Sequence, residues 1–263
     1  MSVALTGGGQ EVRAKSGGWA MRPVTAFVLA LAGLGALVGG CGGGEEEEPA
    51  TTTPSPSLPT LGTPPISLPD PRLKGEMSLE EAILERRSRR SFVDSPLTLA
   101  EVSQILWAAQ GITDSIGLRA APSAGALYPL DVYVVVGSQG VEELEEGVYH
   151  YLPQSHSLQL TLAGDVRQTL ASLSIQQMFI AQAPLSLLIT AEYERTTGKY
   201  GERGVRYVHM EVGHVGQNVY LQVEALGLGT VTVGAFQDEE IARALNLPPN
   251  YMPLYVMPIG HPE

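Results

Sequence analysis

Two stretches of the 263-residue chain combine residue types that could bind and position a reactive group. The first, Arg86-Arg87-Ser88-Arg89-Arg90, sets four guanidiniums and a hydroxyl together in a protein whose formal net charge is −12. Guanidinium forks match phosphate oxygens two at a time, and a serine hydroxyl adds a further donor. If the backbone runs extended here, Arg86, Ser88 and Arg90 point to one side. A structural reading competes, in which the arginines complement the negative end of a preceding helix and pair with surface carboxylates. The second stretch is Ala121-Pro122-Ser123-Ala124-Gly125-Ala126-Leu127-Tyr128-Pro129. Its small residues let backbone approach a flat ligand, while Leu127 and Tyr128 could cover the ligand's edge. By itself it reads equally well as a tight packing loop.

Other patterns carry less. His209, Glu211 and His214 do not form a zinc motif, because the two histidines are five residues apart and straddle a helix. Their expected roles are packing or hydrogen bonding beside a cofactor, and no metal site is expected. Gly227-Leu228-Gly229 lacks the third glycine and following helix of a dinucleotide fingerprint. The single cysteine, Cys41, leaves no intramolecular disulfide and no multi-cysteine metal site.

The elements that must position these stretches follow from periodicity. Ser78-Leu79-Glu80-Glu81 is a capping box, followed by a short helix with an apolar stripe of Leu79, Ala82 and Ile83. Thr98-Leu99-Ala100-Glu101 is a second, opening a helix with Leu99, Val102, Ile105, Leu106 and Ala109 on one face and Gly111 as its stop. Residues 131–136 (DVYVVV) and 185–190 (LSLLIT) read as buried strands, with helix between them inside 165–179. Residues 207–226 form the longest helix, with Val208, Val212, Val215, Val219, Val223 and Leu226 as a core-facing seam. A strand at 230–233, a helix at 239–245 and a strand at 254–259 complete the order. Helices and strands mix without regular βαβ alternation, so the fold class is α+β, a sandwich rather than a doubly wound sheet.

Composition frames this domain. Hydrophobic residues make up 44% of the chain and charged residues 17%, enough for a sizeable core. The acidic balance argues against nucleic acid, which needs clustered Lys and Arg over a face. Arg22 precedes an apolar run over residues 24–38, short for a membrane span and suited to a signal peptide. The run ends in Leu37-Val38-Gly39-Gly40-Cys41, which resembles a bacterial lipobox with Cys41 as the lipidated residue. The division is therefore a signal peptide at 1–40, with Met21 an alternative start, and an acidic, Pro/Thr/Ser-rich disordered tether at 41–71. The folded domain follows at 72–263, with order expected near Met77. The expected location is outside the cytoplasm, at a membrane through the lipid.

Taken in order, RRSRRSF, PSAGALYP before a strand, RYVHMEVGHVGQNVYLQVEALGLGTVTVGAF and LYVMPIGHP resemble the SagB/ThcOx-type branch of the nitroreductase superfamily, over residues 77–262. The resemblance implies a nitroreductase-like α/β sandwich that binds FMN at a homodimer interface. It implies that Arg86, Ser88 and Arg90 hold the phosphate and ribityl chain, and that Pro122, Ser123 and Ala124 line the isoalloxazine ring. Gln217 and Asn218 fall in the GHVGQN motif, and Thr232, Val233, Gly234 and Ala235 match a loop presenting N–H groups near the flavin's reactive edge. In azoline-oxidising relatives a Lys-Tyr pair is implicated in catalysis, which points to Lys199 and Tyr200. A group of that kind takes up a proton as hydride leaves. The plain alternative for residues 192–207 is a charged, solvent-facing loop. One departure concerns the phosphate. Many superfamily members supply another basic residue after the final GxP-like turn, where this sequence reads Gly260-His261-Pro262-Glu263.

Three functions follow from these observations. The first is two-electron oxidation of a small-molecule or peptide substrate, an azoline-type ring being one class, with transfer to an acceptor such as oxygen. The second is an NAD(P)H-dependent nitro or quinone reductase, against which export counts. The third is a non-catalytic flavin-binding lipoprotein.

Overall fold

The computed structural model describes residues 63–263. The stretches read as a signal peptide and as a tether up to residue 62, Cys41 included, lie outside the described residues. Seven strands form one sheet in the order β1-β4-β3-β2-β5-β7-β6, with every neighbouring pair antiparallel. The strands are β1 (Ile66–Ser67), β2 (Leu130–Val136), β3 (Gly147–Leu152), β4 (Ser157–Ala163), β5 (Leu185–Ala191), β6 (Gly229–Thr230) and β7 (Met252–Gly260).

The pleat divides the core. Val132, Val134 and Val136 of β2 face one apolar layer, and Tyr133 and Val135 face the other. Over the first face lie α2 (Leu99–Gln110) and α6 (Arg203–Ala225); over the second lie α3 (Arg167–Leu173), α4 (Phe179–Gln182) and α7 (Asp238–Ala244). This is the α+β sandwich expected from the mixed order. The seam of α6 is buried at Val208, Val212, Val215, Val219 and Val223, and the helix starts four residues earlier than its periodicity indicated. Both capping boxes form, at Ser78/Glu81 and Thr98/Glu101.

Three expectations need correction. The stripe of α1 (Leu79–Glu85) does not face the core: Ala82 is buried, whereas Leu79, Ile83 and Leu84 are 60%, 55% and 66% exposed. Structure also begins before residue 72. Ile66 and Ser67 pair with Leu158 and Ser157, Leu68 is buried, and Ser103 Oγ donates to Pro69 O at 2.5 Å. The described end of the supposed tether thus satisfies an open sheet edge. Finally, Lys199 and Tyr200 close a helix, α5 (Glu194–Tyr200), rather than lying in a loop.

Candidate active site

The arginine run is an added edge strand. Arg86 caps α1 by donating its N–H to Ala82 O, and the backbone then turns extended. Ser88 bridges Thr230 in parallel, Arg89 N–H donates to Thr230 O at 2.9 Å, and Phe92 bridges Pro262. Alternation places Arg86 and Ser88 on one side, where both meet Tyr220 of α6. The Arg86 guanidinium lies 5.1 Å from the Tyr220 ring centre, and Ser88 Oγ is 3.0 Å from the Tyr220 hydroxyl. Burial works to raise the Tyr220 phenol, but its bonds to Ser88 and Thr232 and the Arg86 charge bring it below its usual value. Arg87 takes the helix-end role, donating to Leu84 O and Arg86 O at 2.8 Å. Among the described residues no carboxylate pairs with Arg86, Arg87, Arg89 or Arg90. The structural reading therefore accounts for Arg87 and leaves the charges of Arg86 and Arg90 without a partner anion.

Thr232 joins the same cluster through its N–H, which donates to the Tyr220 hydroxyl at 2.9 Å. Val233 exchanges both backbone bonds with Val256, so its N–H belongs to the sheet. Gly234 and Ala235 are exposed, and among the described residues their N–H groups have no protein acceptor. Only this half of the loop can offer donors to a ligand. Of the GHVGQN pair, Gln217 is exposed on α6, whereas Asn218 Nδ2 donates to Ala108 O at 3.1 Å and Ala120 O at 3.4 Å. Asn218 thus ties α6 to α2.

A second cluster forms at the other end of α6. Ser123 Oγ accepts the Tyr128 N–H at 2.9 Å, closing the loop over a single 3-10 turn at Ala124–Ala126, and Pro122 is exposed beside it. Gly125 has φ +63°, and a Cβ there would lie 2.7 Å from the Tyr200 hydroxyl and 3.3 Å from Lys199 Nζ. Glycine is needed at this position both for its backbone and for this close approach. The loop and the Lys-Tyr pair, separate in sequence, are therefore packed together. Tyr200 also meets Tyr207 edge-on, with ring centres 5.1 Å apart.

What holds α5 against the loop is a buried polar network that sequence reading missed. Arg195 of α5 donates to Tyr128 O at 3.2 Å and to the Tyr251 hydroxyl at 2.6 Å, and pairs with Asp131 at 2.8 Å and Glu192 at 2.6 Å. His150 Nε2 is 3.0 Å from Asp131 Oδ1. Burial alone would raise the Asp131 carboxyl, but the His150 bond and the Arg195 charge outweigh it and hold the group below its usual value. Glu211 lies on the α6 face turned to the loop and is 3% exposed. Burial pushes its carboxyl up to about 7, against the pull of Ser123, Arg119 and Gln110, and among the described residues Oε1 has no hydrogen-bond partner. The signal for Glu211 was a carboxylate three residues after Val208 and next to Val212, at the margin of an apolar seam. Its former companions go elsewhere: His209 Nε2 is 2.7 Å from the Tyr193 hydroxyl, and His214 is exposed.

Glu211 and Tyr220 are nine residues apart, so the two clusters sit about 13.5 Å apart along α6 and on opposite faces. Between them runs an exposed stripe of Arg206, His209, Met210, Gly213, His214 and Gln217. A cavity of about 690 Å³ between residues 72–79, α2 and the C-terminal half of α6 is lined by none of Arg86, Ser88, Ser123, Lys199 and Tyr200.

Residues 83–261 match the Nitroreductase family. A Methanocaldococcus jannaschii protein named as a nitroreductase is 53% identical over 195 residues, covering 74% of this chain and 95% of that one. A crystal structure described as a nitroreductase from Ralstonia eutropha superposes with a TM-score of 0.67 at 32% identity, covering 78% of this chain and 94% of that one. The microcin B17-processing protein McbC of Escherichia coli is 32% identical over 132 residues, covering 49% of this chain and 48% of that one.

Proposed function

The chain belongs to the nitroreductase family, whose members are generally FMN-dependent oxidoreductases, and from that premise we propose that it is an FMN enzyme of the SagB/ThcOx type. Its reaction on this reading is the two-electron oxidation of a peptide or small-molecule substrate, with an azoline-type ring as the substrate class. The observation that carries the reading is the packing of Lys199 and Tyr200 onto the loop at Gly125. The similarity to a microcin B17-processing protein supports a peptide substrate.

The residues present fit FMN. Arg86 and Arg90 supply cations that no carboxylate among the described residues pairs with, Ser88 a hydroxyl, and Gly234 and Ala235 two exposed N–H groups. A bound flavin supplies the hydride acceptor, which is cofactor chemistry rather than protein chemistry. The chain's part is to take the substrate proton, at Tyr200 Oη or Lys199 Nζ, and to orient the ring against the loop of Pro122, Ser123 and Ala124. The two clusters lie on opposite faces of α6, so one ligand is served by the arginine arm of one copy and the Ser123 loop of another. The exposed stripe between them is the contact this homodimer would use. A lipid on Cys41 would hold the enzyme at the outer face of a membrane.

The test is direct. The purified full chain is expected to be yellow and to release FMN on denaturation. Lys199→Ala and Tyr200→Phe should keep the flavin spectrum and lose turnover of an azoline peptide by at least about 100-fold, the scale of general-base catalysis. A colourless protein that fails to take up added FMN overturns the flavin reading, and unchanged turnover in both variants overturns the Lys-Tyr assignment. The similarity to the archaeal nitroreductase favours a second reading, NAD(P)H-dependent reduction of a nitro or quinone compound, which steady oxidation of NADPH by the purified protein would support.

A further inference from the structure

Tyr220 stands outside the residues assigned to the flavin, yet Arg86, Ser88 and Thr232 converge on its side chain. Its hydroxyl accepts the Thr232 N–H at 2.9 Å and lies 3.0 Å from Ser88 Oγ and 3.5 Å from Thr232 Oγ1. Its ring carries the Arg86 guanidinium 5.1 Å from the ring centre. The partners come from separate segments, the edge strand that follows α1 and the loop that follows β6, and Tyr220 on α6 joins them. Gly216, one turn earlier, lets that loop come close. A Cβ there would stand 3.3 Å from the Tyr255 ring and 3.5 Å from Thr232 Cγ2.

Proton allocation settles which group donates. The Thr232 N–H can only donate, so it occupies one lone pair of the phenol oxygen. The phenol has one proton to give, and Ser88 Oγ is nearer than Thr232 Oγ1. A phenol is also more acidic than an alkyl hydroxyl, so in the Ser88–Tyr220 pair the phenol gives and the serine receives. Ser88 Oγ then keeps its own proton, makes no other hydrogen bond among the described residues, and belongs to an exposed side chain. Arg86, on the same side of the strand, has no carboxylate partner among the described residues.

We propose that Tyr220 is a positioning residue for an anion site: it presents the Ser88 proton and the Arg86 charge together to one phosphate monoester. Tyr220 has this role only on the flavin reading, which it deepens. A flavin bearing a phosphate meets both groups, and a phosphate-free flavin meets neither. Holding the two donors on one ring before the ligand arrives lowers the ordering cost of binding.

The experiment titrates the flavin-free full chain with FMN and, separately, with riboflavin, read by flavin fluorescence. The proteins are wild type, Tyr220→Phe, Ser88→Ala and the double variant. Phenylalanine keeps the ring beneath Arg86 and removes only the hydroxyl. Tyr220→Phe is expected to weaken FMN about tenfold, the scale of one charge-assisted hydrogen bond, and riboflavin less than about twofold. Ser88→Ala should show the same split. The double variant should bind FMN within about twofold of either single variant, because both changes remove one contact. Equal losses for the two flavins would make Tyr220 a packing residue, and multiplied losses in the double variant would mean that it does not act through Ser88; either overturns the inference. If Tyr220→Phe does not fold, Ser88→Ala decides, and a preference for FMN over riboflavin equal to that of the wild type overturns it. A wild type that binds neither flavin overturns the flavin reading and this inference with it. FMN bound equally well by wild type and Tyr220→Phe overturns the inference alone.

Discussion

Arg86 and Arg90 carry charge that no carboxylate among the described residues balances, and Ser88 holds Arg86's neighbour Tyr220 in place. Replacing both arginines with alanine should weaken FMN binding by roughly 1.5–3 kcal/mol for each charge-assisted bond, with little change in the melting temperature of the flavin-free protein. Equal affinity in the double variant, by fluorescence titration, would return these residues to a surface role. Asp131 and Glu211 make opposite contributions to stability. The Asp131 carboxyl is held below its usual 3.8, so its contribution is present above that pH and lost as pH falls through the depressed value. The Glu211 carboxyl is raised from 4.5 to about 7, so its contribution is present below 4.5 and lost as pH rises toward 7. Asp131→Asn should therefore destabilise the protein at neutral pH by about 1 kcal/mol or more, because it removes one of the two carboxylates paired with Arg195 and leaves Glu192 alone to balance it. Glu211→Gln should flatten the stability curve between about pH 4.5 and 7. Urea unfolding across pH checks both, and parallel curves for wild type and Glu211→Gln would count against a raised Glu211.

At the scale of elements, Gly125 is the contact between the Ser123 loop and the end of α5. Gly125→Ala puts a methyl on a backbone with φ +63° and 2.7 Å from the Tyr200 hydroxyl. It should cost about 1 kcal/mol of stability and displace Tyr200, lowering turnover more than FMN affinity. Equal loss of both would mean that the contact only packs. The strongest local signals survived folding: both capping boxes, the seam of α6, and β2 and β5 stand where the pattern put them. The hairpin of β3 and β4 was missed although Leu158, Leu160 and Leu162 alternate along β4. Its turn carries no Asn-Gly or Asp-Gly pair and instead puts His156 at φ +44°. Helix α5 was missed because Thr196, Thr197 and Gly198 are poor helix formers without a side-chain cap. Arg195, through its bonds to β2 and the loop, anchors that helix from outside. The apolar stripe of α1 was read as a core face, yet periodicity does not say which surface covers an apolar face.

For the whole molecule, the exposed stripe of α6 lies between the two site clusters, and a Cβ at Gly213 would meet nothing within 4 Å. Met210 on that stripe is 52% exposed. The wild type should scatter light as a dimer, and Met210→Glu should shift it toward monomer with release of FMN. A flavin-loaded wild-type monomer would remove the composite site. Cys41→Ala should move the protein from the membrane fraction to the soluble or unprocessed pool, and an unmodified, cytoplasmic wild type would reject export.

The chemistry on offer and the class of fold were legible in local pattern. Guanidiniums in an RRSRR run, a small-residue loop before a β-branched strand and a valine seam at helical spacing are local patterns, readable because each depends on near neighbours. Tertiary structure alone decided which of these groups meet. Gly125 and Tyr200 are 75 residues apart, and Glu211 shares its pocket with Ser123, Gln110 and Arg119 from outside its helix. It also decided which groups are spent, for Asn218 and the N–H of Val233 turned out to bind protein. The physical reason is that burial sets hydrogen-bond allocation and the charge of a carboxyl, and burial is a property of packed elements rather than of spacing along the chain.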